Sequence, residues 1–97
     1  MKPKRFVHVG FNFEGEAPPV KQLEATFNKA TDWLRYGSQN WVLYTGLELD
    51  EWRDRIRGTK GIRDKDIGFF LVEFEYGSGI SGYMTNSEWK WFTKKRS

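Results

Sequence analysis

Residues 40–58, NWVLYTGLELDEWRDRIRG, decide the fold because the hydrophobic pattern changes its period within them. NWVLYT is a short aromatic and β-branched run, typical of a strand, and it ends at a glycine. In the second half, Leu49, Trp52 and Ile56 recur at helical spacing, with two acidic residues in the first turn and a glycine at the end. The stretch therefore predicts a strand followed directly by an amphipathic helix over 49–58.

Upstream of this stretch, the sequence predicts a strand, a helix and the first arm of a hairpin. KRFVHVGFNF (4–13) alternates with period two, which puts Val7 and Val9 on one face and His8 on the other. After two prolines, apolar residues recur at helical spacing and predict a helix over 18–31. TDWLRY and NWVLYT then flank Gly-Ser-Gln-Asn, a turn cluster that favours a hairpin.

Downstream of the second helix, IGFFLVEFEYG (67–77) is a nearly continuous apolar run, typical of a strand in the middle of a sheet. GSGISGYMT (77–85) favours a short edge strand, and Thr85 with Glu88 has the spacing of a capping box that starts a final helix. The order of elements predicts a single ferredoxin-like α+β domain (βαββαβ) over 1–97, with an extra C-terminal strand and short helix. Both main helices are expected on one face of the antiparallel sheet.

Composition excludes several classes of site. The 97 residues contain no cysteine and one histidine, which excludes disulfides, cysteine-based metal sites and multi-histidine metal centres. His8 has no nucleophile or carboxylate motif nearby and is expected to be structural, so we predict no cofactor and no metal. No apolar run reaches the ~20 residues of a membrane-spanning helix, and MKPKRF lacks the apolar segment of a signal peptide. We expect a soluble, cytoplasmic protein with no membrane partner.

The candidate nucleic-acid site is a group of basic residues on the second helix and the loop after it. The net charge of +3 permits polyanion binding without requiring it. Arg53 and Arg57 lie one helical turn apart, whereas Arg55 has Glu51 four residues before it as an intrahelical partner. A solvated helix face and a phosphate-facing surface are both consistent with this pattern. In the second case, contacts to the nucleic-acid backbone would come from Arg53, Arg57, Lys60, Arg63 and Lys65.

Trp33 and Trp41, the segment DEWRDRIR and the closing run SGYMTNSEWKWF form a pattern that extends over about Arg5–Phe92. This pattern resembles the SinR-like proteins, small relatives of the dimeric CRISPR-associated endoribonuclease that serves as adaptor in spacer integration. The resemblance implies a ferredoxin-like fold and a homodimer in which the C-terminal strand pairs with the neighbouring subunit's sheet. The residues expected at the partner or dimer interface are Ile80, Tyr83, Met84, Trp89 and Trp91.

One position departs from the nuclease relatives. In those relatives, the first strand ends with an aspartate that holds a divalent metal, whereas the corresponding place here reads GFNFEG, with Asn12. Because a neutral amide binds a hard dication far more weakly than a carboxylate does, we predict no catalytic residue and no metal. Glu14 is a nearby carboxylate but is expected to lie in the loop. A metal-dependent nuclease is therefore kept only as an alternative.

A second resemblance is to the RNA-recognition motif, in which exposed aromatic side chains stack on bases. VHVGFN (7–12) and IGFFLVEF (67–74) are similar to its two signature strands, but the second one here follows the second helix, and Leu71 replaces a stacking aromatic. The sequence thus favours a non-catalytic, dimeric binding protein that contacts a nucleic-acid backbone. The alternatives are a protein-directed adaptor or inhibitor, for example of a CRISPR-type defence system, and an RNA-recognition module.

Overall fold

Residues 3–77 and 79–96, which the computed structural model describes, form a four-stranded antiparallel sheet and three helices. The strand order across the sheet is β2-β3-β1-β4, so that β2 and β4 are its edges. The elements, in chain order, are β1 (Arg5–Asn12), α1 (Val20–Phe27), β2 (Asp32–Tyr36), β3 (Asn40–Thr45), α2 (Leu49–Arg57), β4 (Gly68–Phe74) and α3 (Asn86–Thr93).

The main core lies between the sheet and the two helices α1 and α2. Val7 and Val9 of the central strand β1 are fully buried there, as the alternating pattern predicts. Helix α1 contributes Leu23 and Phe27 to the same cluster, and α2 contributes Trp52 and Ile56. The helices therefore cover one face of the sheet.

The third helix covers part of the opposite face. Its capping box is confirmed: the Thr85 hydroxyl accepts the Glu88 backbone N–H at 3.3 Å, and the Glu88 carboxylate accepts the Thr85 backbone N–H at 3.0 Å. Trp91 and Phe92 then pack on Phe6 of β1, with ring centroids 5.7 and 5.3 Å apart. The sheet consequently has an aromatic core on each face.

The prediction of a central strand at 67–77 is wrong. Strand β4 pairs with β1 alone among the described strands and forms an edge of the sheet. Its sequence is apolar throughout because Phe69 and Leu71 pack on the core of α1 and α2, while Phe70 and Val72 lie on the other face. Apolar residues on both faces reflect the layers above and below a strand, and they carry no information about its neighbours within the sheet.

The extra C-terminal strand predicted at 77–85 is also absent from the described residues of that segment. Residues 79–85 form no strand, and they lead directly into the cap of α3. Gly77, Gly79 and Gly82 interrupt this segment, and glycine has low strand propensity because it has no side chain to pack on a neighbour. The expected dimer contact through a strand at 77–85 therefore has no basis in this geometry.

The other predicted helices and strands differ from the observed ones only in the residues at which they begin or end. Helix α2 starts at 49 as predicted and is capped by Gly58, and the hairpin of β2 and β3 is confirmed. Helix α1 is shorter than predicted because the chain turns after Phe27, and the backbone N–H of Thr31 already donates to the carbonyl of Tyr44 on β3. In the described ranges, no helix combines the length and the hydropathy that crossing a bilayer would require.

Candidate functional site

A cleft of about 780 Å³ lies on the sheet face that α3 covers only in part. Its floor contains His8 of β1 with its cross-strand neighbours Val42 of β3 and Val72 of β4. One wall is formed by Trp89 and Phe92 of α3, and the irregular segment before α3 forms another. A concave, mostly apolar surface with a few polar groups is typical of a binding site.

The polar centre of the cleft is a hydrogen bond between His8 Nε2 and the Tyr36 hydroxyl. Burial lowers the pKa of His8 and raises the pKa of Tyr36, so both side chains are neutral near pH 7. Each neutral group carries one donor hydrogen, and their mutual bond uses one of the two. Whichever tautomer His8 adopts, one donor of the pair, either the Tyr36 O–H or the His8 Nδ1–H, stays outside their mutual bond. His8 thus lies at the floor of a cleft, half-buried, rather than in the core.

The charge in the cleft does not favour an anionic ligand. Among the described residues that line the cleft, the one with a formal charge is Glu75. A phosphate group placed there would meet a carboxylate and no cation. The cleft therefore suits an uncharged ligand that offers apolar groups and a hydrogen-bond acceptor.

Large apolar side chains next to the cleft are exposed to water. On the edge strand β4, Phe70 is 59% exposed and Val72 is 45% exposed. Tyr83, in the segment before α3, is 100% exposed. Scattered apolar side chains are common on protein surfaces, whereas a group of them beside an apolar cleft is typical of interaction surfaces.

Four of the five predicted interface residues surround this cleft, and one does not. The lining residues are Ile80, Tyr83, Met84 and Trp89. Trp91 is buried against Phe6 and beneath the guanidinium of Arg96, whose Cζ lies 4.5 Å from its ring centroid. A separation of two residues on a helix points the side chains to different faces, and the face of Trp91 is turned to the sheet, away from the cleft.

The predicted nucleic-acid residues do not form a uniformly positive surface. Arg53 pairs with Asp50 at 3.3 Å and with Asp54 at 3.2 Å, although it has no partner four residues before it. Lys65 pairs with Glu16, far away in sequence, at 2.5 Å. Residues 48–66 carry six basic and six acidic side chains, so the segment has no net charge. These pairs reduce the positive potential that attracts a phosphate backbone.

The remaining basic residues of that set are differently placed. Arg57 and Arg63, together with Arg53 and Asp66, line a separate cleft of about 410 Å³ between α2 and the start of β4, and Lys60 lies in the loop between Arg57 and Arg63. The described residues provide no ion-pair partner for Arg57, Lys60 or Arg63. The predicted pair of Arg55 with Glu51 is confirmed at 2.8 Å.

The end of β1 leads into a turn that Asn12 stabilises. The Asn12 side-chain oxygen accepts the backbone N–H of Glu14 at 3.2 Å, and so stabilises the turn that follows the strand. Glu14 lies in that turn, as predicted, with a φ of 50°. Within 3–77 and 79–96, no cluster of three histidine or carboxylate side chains has the geometry to hold a metal ion.

Sequence reasoning missed Tyr36 and Phe70 as members of the site. Tyr36 is on β2 and His8 is on β1, and β3 lies between these two strands in the sheet. Their contact therefore depends on strand order, and no pattern in the local sequence predicts it.

Comparison of this chain with protein-family models, curated proteins and solved structures gives no significant match in any of the three.

Proposed function

We propose that this chain is a non-catalytic binding protein whose partner is another protein, docked in the cleft beside β4. The observation that carries the proposal is the exposure of Phe70, Val72 and Tyr83 around a cleft that is itself lined mainly by apolar side chains. Water contact with this surface is unfavourable, and a docked partner removes it. The proposal corresponds to a protein-directed adaptor or inhibitor.

The chemistry of the cleft supports a polypeptide partner over a polyanion. The single donor left by the His8–Tyr36 pair is complementary to a carbonyl oxygen, the acceptor that every peptide unit provides. The aromatic side chains Trp89 and Tyr83 supply the contact area typical of residues that dominate protein interfaces. Glu75 at the same cleft disfavours a phosphate.

We expect Tyr83→Ser and Trp89→Ala each to weaken capture of the partner about tenfold or more, since aromatic anchors contribute roughly 2 kcal/mol or more at interfaces. The measurement is affinity capture from lysate with tagged wild type and variants, with and without nuclease treatment. Tyr83 is fully exposed, so its replacement leaves the fold unchanged.

The matched control is Lys90→Ala, an exposed position on the same helix as Trp89, and it should capture the partner like wild type. Equal capture by all variants would contradict docking in the cleft. A partner lost from every sample on nuclease treatment would instead assign the surface to nucleic acid.

A second candidate function, binding of a nucleic-acid backbone, is supported by the separate cleft that Arg57 and Arg63 line. Two guanidinium groups without ion-pair partners among the described residues are suited to phosphate contacts, and with Arg53 they outnumber the one carboxylate of this lining, Asp66. Neither belongs to an element shaped to enter a groove, so the contacts would be sequence-tolerant.

If this second function holds, Arg57→Ala and Arg63→Ala should each reduce the slope of log affinity against log salt by about 1 on duplex DNA. Fluorescence anisotropy of a labelled duplex across a salt series measures the slope. Lys21→Ala, an exposed lysine on α1, is the control and should leave the slope unchanged. Absence of binding by wild type at low salt would remove this candidate.

We also propose that the fold is ferredoxin-like. The strand order β2-β3-β1-β4, the antiparallel pairing throughout and the burial of α1 and α2 in one core support this assignment. Membership of the SinR-like class remains a proposal based on the resemblance in sequence. The exposed cleft is compatible with the adaptor role that the resemblance implies.

A further inference from the structure

The guanidinium group of Arg96 is held by aromatic rings and one carboxylate. Its Cζ atom lies 4.5 Å from the ring centroid of Trp91, 4.8 Å from that of Tyr44 and 5.7 Å from that of Phe6. The same group forms an ion pair with Asp32 at 3.0 Å. The faces of aromatic rings attract a cation, and the carboxylate adds a charge-assisted hydrogen bond. Rings combined with one carboxylate are therefore suited to an arginine side chain.

The cleft around His8 has the same combination of groups, but no cation among its described lining residues. Glu75 supplies the carboxylate; it is exposed, and no described cation forms an ion pair with it. Phe92 lines the cleft and also packs on Phe6, so the cleft and the Arg96 site share one aromatic cluster. The aromatic side chains that line the cleft, besides His8, are Tyr36, Phe74, Tyr83, Trp89 and Phe92.

We propose that the protein segment docked in the cleft inserts an arginine side chain, whose guanidinium pairs with Glu75 and lies against the rings of Tyr83 and Trp89. This inference rests on the proposed function and names the chemistry of its partner. The positive charge stays at the rim, because Glu75 is exposed to water there. The floor, which includes Val42 and Val72, is apolar and takes the uncharged atoms of the segment.

An arginine residue matches both parts of the cleft. Its alkyl stem packs on apolar surface while its head group remains in contact with water. Its backbone carbonyl is an acceptor for the donor that His8 and Tyr36 keep outside their mutual bond. Lysine fits less well, because its compact ammonium group is more strongly hydrated and does not stack on rings as the planar guanidinium does.

Segments without a basic residue leave the rim uncompensated. A purely apolar segment would shield the Glu75 carboxylate from water and offer it no counter-charge, which is unfavourable. An acidic segment would place like charges next to each other. The one formal charge of the cleft thus selects for a cation in the partner.

Pools of short random peptides test the arginine directly. The pools are identical except that the central residue is fixed as arginine, lysine or glutamine, and fluorescence anisotropy of the labelled peptides measures their binding to the full chain. The arginine pool should bind about tenfold more tightly than the glutamine pool, because glutamine forms neither the ion pair nor the cation–π contacts. Equal binding of these two pools would overturn the proposal, and a lysine pool that binds as tightly as the arginine pool would overturn the choice of a guanidinium.

The variant Glu75→Gln tests the carboxylate. It should weaken binding of the arginine pool about threefold and leave binding of the glutamine pool unchanged, because an ion pair exposed to water contributes modestly. The matched control is Glu14→Gln, which removes an exposed carboxylate that lines a different cleft. An equal loss of arginine-pool binding in both variants would show attraction by overall charge and would overturn the site. Both positions are exposed, so the circular dichroism spectra should match that of wild type.

The outcomes separate this proposal from the proposed function. Equal binding of the three pools, with capture from lysate still lost in Tyr83→Ser and Trp89→Ala, would overturn the arginine and leave protein docking in the cleft in place. Capture that none of the cleft variants reduces would overturn the docking itself, and this inference with it.

Discussion

Replacing Trp52 with alanine is expected to lower the free energy of unfolding by about 4 kcal/mol. Trp52 is fully buried between the sheet and α1, where its ring lies 6.3 Å from that of Phe27. Removing the indole leaves a cavity that the surrounding rigid aromatic side chains fill only in part. Domains of this size are stable by about 5–15 kcal/mol, so this loss removes roughly a quarter to four fifths of the total stability.

Urea denaturation followed by circular dichroism measures this loss. Arg53→Ala, at the adjacent exposed position on α2, should change stability by no more than about 0.5 kcal/mol. Thr45→Val isolates the polar contribution, because the Thr45 hydroxyl accepts the Trp52 indole N–H and the Leu47 backbone N–H, each at 3.1 Å. Leaving those donors unpaired should cost about 1–3 kcal/mol. Equal stabilities of Trp52→Ala and Arg53→Ala would contradict the expected contribution of Trp52 to the core.

Replacing Arg96 with alanine is expected to cost about 3 kcal/mol, because this side chain connects the C-terminal tail to both the sheet and α3. The side chain is 8% exposed and forms an ion pair with Asp32 at 3.0 Å. It also donates to the Trp91 carbonyl at 2.5 Å, and its Cζ lies 4.8 Å from the ring centroid of Tyr44. Its loss leaves a partly buried carboxylate with fewer partners and removes the three cation–π contacts of Arg96 with Phe6, Tyr44 and Trp91.

The matched control for Arg96 is Lys95→Ala, because Lys95 is an adjacent exposed cation. Lys95→Ala should change stability by no more than about 0.5 kcal/mol. Denaturant unfolding of both variants at equal pH provides the comparison. If the two variants lose the same stability, α3 is held on the sheet by its aromatic contacts and not by Arg96.

The effect of Arg96→Ala should also depend on pH. Burial raises the pKa of Asp32, but hydrogen bonds from Lys94 and Arg96 outweigh it, and the pKa lies below its usual value. A lowered pKa means that the carboxylate stabilises the fold above its unfolded pKa of about 3.9, and that this contribution is lost as pH falls through the folded pKa. The difference between wild type and Arg96→Ala should therefore be large at pH 7 and smaller in acid.

Several elements were determined by the sequence alone because they depend on residues that are close together in the chain. The period of 3.6 at Leu49, Trp52 and Ile56 predicts α2 and the face that it buries. The capping box at Thr85 and Glu88 predicts the start of α3. In each case the interacting groups are separated by less than two helical turns, so the sequence pattern specifies the contact before any tertiary structure forms.

Other features were decided only by the tertiary structure, because they join residues that are far apart in the chain. Lys65 reaches Glu16, which makes part of the predicted phosphate-binding patch an internal ion pair, and Arg96 reaches Asp32, which makes a terminal basic residue a structural one. The cleft lined by His8 likewise needs β1 between β3 and β4, with α3 turned onto that face. Hydrophobic periodicity identifies the faces of a strand but not its neighbours, so only the strand order of the tertiary structure places β4 at an edge of the sheet.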